Sequence, residues 1–189
     1  MDDDRKLAGS FNFVVTLRRS AAAASGASEV GDATLPVTDP IGPGDEPGDD
    51  DSPGHLLCDA GFQDCSGLEV EMDVTELVEG GRNDGVIRRV GRGKYGNIVL
   101  KRGMFYGRGD RVNPDLWLWL QGILAGKRPV RRYDGLIQML AADGVTVRAS
   151  WQFDRGLPAK IAGPHLDAKT GDVAVEELTI AHEGLRLAI

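Results

Sequence analysis

The chain has 189 residues, 41% hydrophobic and 27% charged, with a formal net charge of −7. This suits one core of ordinary domain size, and no run approaches the ~20 apolar residues of a membrane-crossing helix, so a soluble protein is expected. Two cysteines, Cys58 and Cys65, are too few for a disulfide framework and too far apart for the short Cys pairs of zinc sites, and read as reduced thiols.

The chain opens Met1-Asp2-Asp3-Asp4, the wrong charge for a secretory leader, and Arg18-Arg19 lacks the apolar run that a twin-arginine signal requires. The first strand is predicted over 11–18, where Phe11, Phe13, Val15 and Leu17 alternate with Asn12, Thr16 and Arg18. Residues 20–57 then carry eight acidic residues and no Lys or Arg, in a composition of Ala, Ser, Gly, Pro and Asp without period. Such a stretch cannot bury enough apolar surface to offset the entropy of ordering, so it reads as a flexible acidic insertion in a single domain spanning 1–189. Without it the chain is close to neutral.

A second half-buried strand is predicted over 68–74, with Leu68, Val70, Met72 and Val74 set against Glu69, Glu71 and Asp73. Another is predicted over 97–102. Asn113 as N-cap, Pro114 at the first turn and Asp115 near the positive end of the dipole open one helix, which Gly126 closes. Its body, Leu116-Trp117-Leu118-Trp119-Leu120-Gln121-Gly122-Ile123-Leu124, is apolar nearly all round. A surface helix shows one apolar stripe, so this one is expected to pack on its own barrel and on a second subunit.

Further strands are predicted over 136–141 and 145–154, joined by the turn residues Ala142-Asp143-Gly144, and over 173–181, where the apolar phase slips between Val175 and Leu178 as at a β-bulge. The fold class is therefore mainly β: an antiparallel barrel or sandwich of two sheets with one α-helix.

The tempting chemical motifs fail on context. Gly91-Arg92-Gly93-Lys94-Tyr95-Gly96 matches a dinucleotide fingerprint, but a strand follows where a helix is needed. The kinase elements that would accompany Lys101 are missing. Ser66 is not in a nucleophile elbow, and His182-Glu183 lacks the second histidine of a zinc protease. With only His55, His165 and His182, a histidine-rich metal site is not expected, and His182 reads as a satisfied structural residue. No catalytic residue, cofactor or metal site is predicted.

Charge is the remaining signal. Residues 82–111 carry nine basic and two acidic side chains, among them Arg82, Arg88, Arg89 and Arg92, directly after Glu69, Glu71, Asp73, Glu76 and Glu79. A basic stretch suits nucleic acid, which makes a nucleic-acid-binding β-barrel the alternative class. Neighbouring regions of opposite sign suit head-to-tail contacts between copies of one chain.

Four stretches make this sharper. Gly61-Phe62-Gln63-Asp64-Cys65-Ser66-Gly67-Leu68-Glu69-Val70-Glu71 resembles a signature of contractile phage tail tube proteins. Lys94-Tyr95-Gly96-Asn97-Ile98-Val99-Leu100-Lys101-Arg102-Gly103 resembles that family's most recognisable strand, Trp117 and Trp119 fall at its aromatic helix, and residues 173–185 are similar to its terminal strand. The resemblance covers residues 11–18 and 58–189.

It implies hexameric rings stacked into a rigid inner tube within a sheath, in a phage tail or phage-tail-like injection system related in architecture to the haemolysin-coregulated tube protein of type VI secretion. The implied partners are the chain itself, sheath protein, baseplate or tube-initiator and terminator proteins, and cargo in the lumen, with assembly in the bacterial cytoplasm. Glu69, Glu71, Asp73, Glu76, Arg82, Arg88, Arg89, Arg92, Trp117 and Trp119 are the candidate subunit and ring contacts. The acidic insertion departs from the family and admits a specialised tube-initiator ring at the baseplate as an alternative.

Overall fold

A computed structural model describes residues 12–21, 54–78, 80–81, 85–104, 112–167, 169 and 171–188. Ten strands and one helix run in the order β1 (Phe13–Arg19), β2 (Leu56–Ala60), β3 (Asp64–Ser66), β4 (Val70–Leu77), β5 (Ile87–Tyr95), β6 (Ile98–Gly103), α1 (Asp115–Leu124), β7 (Tyr133–Leu140), β8 (Val147–Ala162), β9 (Val175–Ala181) and β10 (Gly184–Ala188). Pairing is antiparallel throughout and follows the path β2-β1-β7-β8-β9-β6-β3, with β10 also on β8, while β4 and β5 form a separate two-stranded sheet.

The long strand β8 carries the chain from one half of the sheet to the other. Its first part pairs with β7 and β10 and its last part with β9. Between them the register shifts, so that Asp154 and Arg155 stand opposite Asp134, and Arg155 takes a left-handed φ of 54°. A bulge of this kind bends a strand and strengthens its twist. The Asp134 carboxylate holds it, accepting bonds from the Arg155 N–H at 2.8 Å and the Ser20 hydroxyl at 2.6 Å. A second shift, near Pro158, places the proline where the ladder is already interrupted. The strand thus runs eight residues beyond the predicted end at 154.

The folded-over sheet encloses one core, with Val15, Leu17, Ile137 and Phe153 meeting Ile98, Leu100, Leu178 and Ile180, closed by Leu116 and Trp119 of α1. Gly135 makes room for the Phe153 ring: a Cβ there would lie 2.0 Å from Phe153 Cε1.

The expected bulge in β9 is not found. The pairing of β9 with β6 runs without a shift, and Glu176, Leu178 and Ile180 all point inward. The apolar phase slips because a glutamate occupies a core position, where Arg102 pairs with it. Both ends of the predicted insertion, 20–57, belong to the body of the domain. Ser20 is buried, Leu56 and Leu57 belong to β2, and the Arg19 N–H donates to the His55 carbonyl. Residues 22–53 lie outside the described residues. The helix begins one residue late, with Pro114 at the cap position, yet the Asn113 Oδ1 still accepts the Asp115 N–H. Gly126 ends it with φ at 78°, as predicted.

Candidate assembly surfaces

The acidic and basic stretches meet in space as the two strands of one hairpin. Cross-strand partners include Glu71 with Lys94, Thr75 with Arg89, and Glu76 with Arg88. Lys94 Nζ lies 2.9 Å from Asp73 Oδ1, and Arg88 Nε 3.3 Å from Glu76 Oε1. The prediction that these charges wait for another copy is therefore corrected in part, because some are matched within the hairpin. Both pairs are well exposed, where an ion pair contributes about 0–1 kcal/mol and is easily exchanged. Arg89 and Arg92 are exposed and make no ion pair among the described residues. Arg82 and Glu79 lie outside the described residues.

The hairpin is two-faced. Alternation in β4 and the register with β5 put Val70, Met72, Val74, Val90 and Tyr95 on one side, and Glu71, Asp73, Lys94 and Arg89 on the other. The apolar side is uncovered: Met72 is 54% exposed and Val90 77%. The period-two pattern of 68–74 was legible, but the predicted half-burial is absent in this chain, where every residue of β4 is exposed. A two-stranded sheet is marginal in water by itself. The glycine motif runs from β5 through Gly96 into the turn before β6, so a strand follows it as expected. Gly91 sits at a bulge where two residues, Gly91 and Arg92, oppose Asp73, and no helix start follows for a nucleotide.

The root of the hairpin is firmly built. Gly67 has φ of 83°, and a Cβ there would lie 2.0 Å from the Asn97 carbonyl oxygen. His182 packs between Tyr95 and Phe153, each ring centroid 5.6 Å away. Its two nitrogens are buried without a hydrogen-bond partner among the described residues. The expectation of a satisfied histidine is therefore corrected: the ring is held by packing and not by hydrogen bonds.

The helix divides the two candidate tryptophans from the outward positions. Trp119 is 4% exposed, donates its indole N–H to the Arg131 carbonyl at 3.0 Å and meets Tyr133 edge-on. Trp117 is half-buried and donates to Glu176 Oε2 at 3.0 Å. Both therefore brace the helix on its own barrel. The outward apolar residues are Leu118, 56% exposed, and Leu124, 77% exposed. Neither was singled out in the sequence, because an all-apolar helix does not show which positions face inward. Beside them opens a cavity of about 470 Å³ lined by Leu57, Leu118, Trp119, Lys127, Arg131 and Tyr133, with His55 also on its wall.

Among the described residues no group of His, Cys, Asp and Glu is placed to hold a metal ion, and no helix is long and apolar enough to cross a membrane. Cys65 is a free thiol, pushed up to about 11 by burial and by neighbouring Asp64.

A mainly antiparallel β domain with one bracing helix and a protruding, two-faced hairpin defines a subunit class whose exposed apolar surfaces are suited to contacts beyond its own core. The chain belongs to the T4-like virus tail tube protein gp19 family, whose model matches residues 10–186. It is a structural tube subunit, a component of a phage tail or phage-tail-like particle.

Solved structures share the fold. A chain in the anti-feeding prophage baseplate, 6-fold symmetrised, is similar at 19% identity with a TM-score of 0.67, covering 97% of each chain. One from the extended sheath-tube complex of the extracellular contractile injection system PVC is similar at 19% identity and a TM-score of 0.65, covering 98% of this chain and 93% of that one. A chain of the anti-feeding prophage tube-terminating cap is similar at 19% and 0.63, covering 100% and 99%. No curated protein matches the sequence.

Proposed function

We propose that this chain is the repeating subunit of the inner tube of a contractile phage tail or injection system, assembling as rings of six that stack into a hollow rod within a sheath. Its role is mechanical and it carries no catalytic activity. The observation that supports this reading best is the β4–β5 hairpin, an arm whose apolar side, from Val70 to Val90, is left uncovered among the described residues. Exposed apolar surface of this kind marks a protein interface. A contact that joins one patch to a different patch on the next copy propagates into a ring or a filament.

By likeness to the solved complexes, the further partners are a sheath protein and baseplate and terminator proteins; cargo in the lumen and assembly in the bacterial cytoplasm complete the proposal. Glu69, Glu71, Asp73, Glu76, Arg88, Arg89 and Arg92 belong to the assembly surface through the hairpin and its root. Replacing Met72 and Val90 by Asp tests this: assembly by ultracentrifugation should be lost while the monomer keeps its circular dichroism. Unchanged assembly would contradict it.

The similarity to a baseplate chain and the acidic segment favour a second reading, the specialised ring that initiates the tube. The ends of that segment are joined by the bond from Arg19 to His55, so residues 22–52 can be deleted without breaking the β1–β2 pairing. Long tubes from the purified wild-type chain support the repeating subunit. Tubes formed only after the deletion support the initiator.

A nucleic-acid-binding barrel is disfavoured because the basic strand is laid against an acidic one. Salt-dependent DNA binding by the monomer is the result that would favour it.

A further inference from the structure

We infer that the groove beside α1 is the receiving site for the β4–β5 hairpin of a second copy of this chain. The inference rests on the tube-subunit reading and assigns its two halves. Both surfaces are exposed in the folded chain, Leu118 and Leu124 on the helix and Met72 and Val90 on the hairpin, so neither covers the other within one molecule. Each copy then offers one of each, so the hairpin of one can seat on the groove of the next and the contact can repeat head to tail.

Three features of the groove fit that occupant. It is apolar at its floor, where Trp119, Tyr133 and Leu57 are held by the core, and its volume of about 470 Å³ accepts side chains from a strand laid across it. Met72 is suited to enter, because an unbranched thioether fills irregular space. One rim is basic, with Lys127 and Arg131 in the lining and exposed Arg128 between them, whereas Asp115 is the only carboxylate lining the groove among the described residues. The strand that carries Met72 is the acidic one, and Glu76 shares the face of Met72, whereas Glu71 and Asp73 stand on the opposite face. Exposed pairs such as Arg88 with Glu76 bind weakly enough to exchange partners at an interface. The charge pattern sets which strand lies toward the helix: β4 faces residues 127–131, and β5, with Arg88, Arg89 and Arg92, lies on the far side.

The test is a photo-crosslink. A photoreactive phenylalanine analogue placed at Leu124 of the full-length chain, under conditions where tubes are seen by electron microscopy, should give adducts with residues 70–76 of another copy. These should exceed adducts elsewhere by at least tenfold. Tubes that form with adducts outside the hairpin would overturn the inference and leave the tube-subunit reading standing. Failure of the wild-type chain to associate at all would overturn that reading, and the inference with it.

A charge swap gives a second arm. Lys127→Glu should abolish tubes, and Glu76→Lys in the same chain should restore them. Both sites are exposed, so folding, followed by circular dichroism, is expected to persist. Tubes unaffected by the first change would contradict the assignment.

Discussion

Arg102 Nε donates to Glu176 Oε1 at 2.5 Å in the interior, and both side chains are almost wholly buried. The other oxygen of Glu176 accepts the Trp117 indole N–H, so one carboxylate ties β6, β9 and α1 together. Two apolar residues would fill this space without the desolvation cost that two charges carry. What the pair provides is direction: the helix is docked through Trp117 in one rotation, which leaves Leu118 and Leu124 facing out.

Glu176→Gln should therefore cost about 3–5 kcal/mol, since it removes the carboxylate charge that pairs with the buried Arg102. Chemical denaturation of the monomer measures this. A loss below about 1 kcal/mol would show that the pair is not holding the helix.

Gly135→Ala is expected to destabilise by about 1–3 kcal/mol, because the added methyl meets the Phe153 ring in a packed core. Adding Phe153→Leu should recover part of that loss, a non-additivity measured in a double-mutant cycle. Simple additivity of the two changes would contradict the contact.

The Cys65 thiol is pushed up to about 11, first by burial and then by Asp64. The folded state thus holds this proton more tightly than the unfolded chain. The stabilisation is fully present below the unfolded value of about 9 and is lost as pH rises from there through about 11. In a Cys58→Ser background, alkylation at pH 8 should be at least tenfold slower in the folded chain than in urea. Equal rates would refute the shift.

Arg88→Glu with Arg89→Glu removes the pair with Glu76 and reverses charge on β5. Monomer stability should change by no more than about 1 kcal/mol, the scale of exposed ion pairs, while assembly is lost. Normal tubes from this variant would remove β5 from the interface.

Much of the body was legible because a buried face imposes its period. Val15 and Leu17, Ile98 and Leu100, and Leu178 and Ile180 each alternate into the core. Legibility failed wherever a residue's environment lay outside its own strand. Glu176 looked like a register slip because its partner, Arg102, is 74 positions away. Strand β5 was hidden by its glycines and arginines, since its pairing is with an acidic strand and its apolar residues Ile87, Val90 and Tyr95 do not alternate. Strand β2 begins inside a segment whose composition argues for a loop. The helix is legible from its caps, but its inward positions are not, because the run is apolar all round: Trp117 and Trp119 spend their indole N–H groups on the barrel while two leucines take the outside. The charges of the candidate surface were visible, but their mutual pairing across the hairpin was not.

The most direct test of the central claim is electron microscopy of the purified full-length chain across a range of protein concentrations. The account predicts rings with sixfold class averages that stack into tubes with an open lumen, and loss of both on replacing Met72 and Val90 by Asp. A chain that stays monomeric at every concentration, in the absence and presence of its sheath and baseplate proteins, would contradict it.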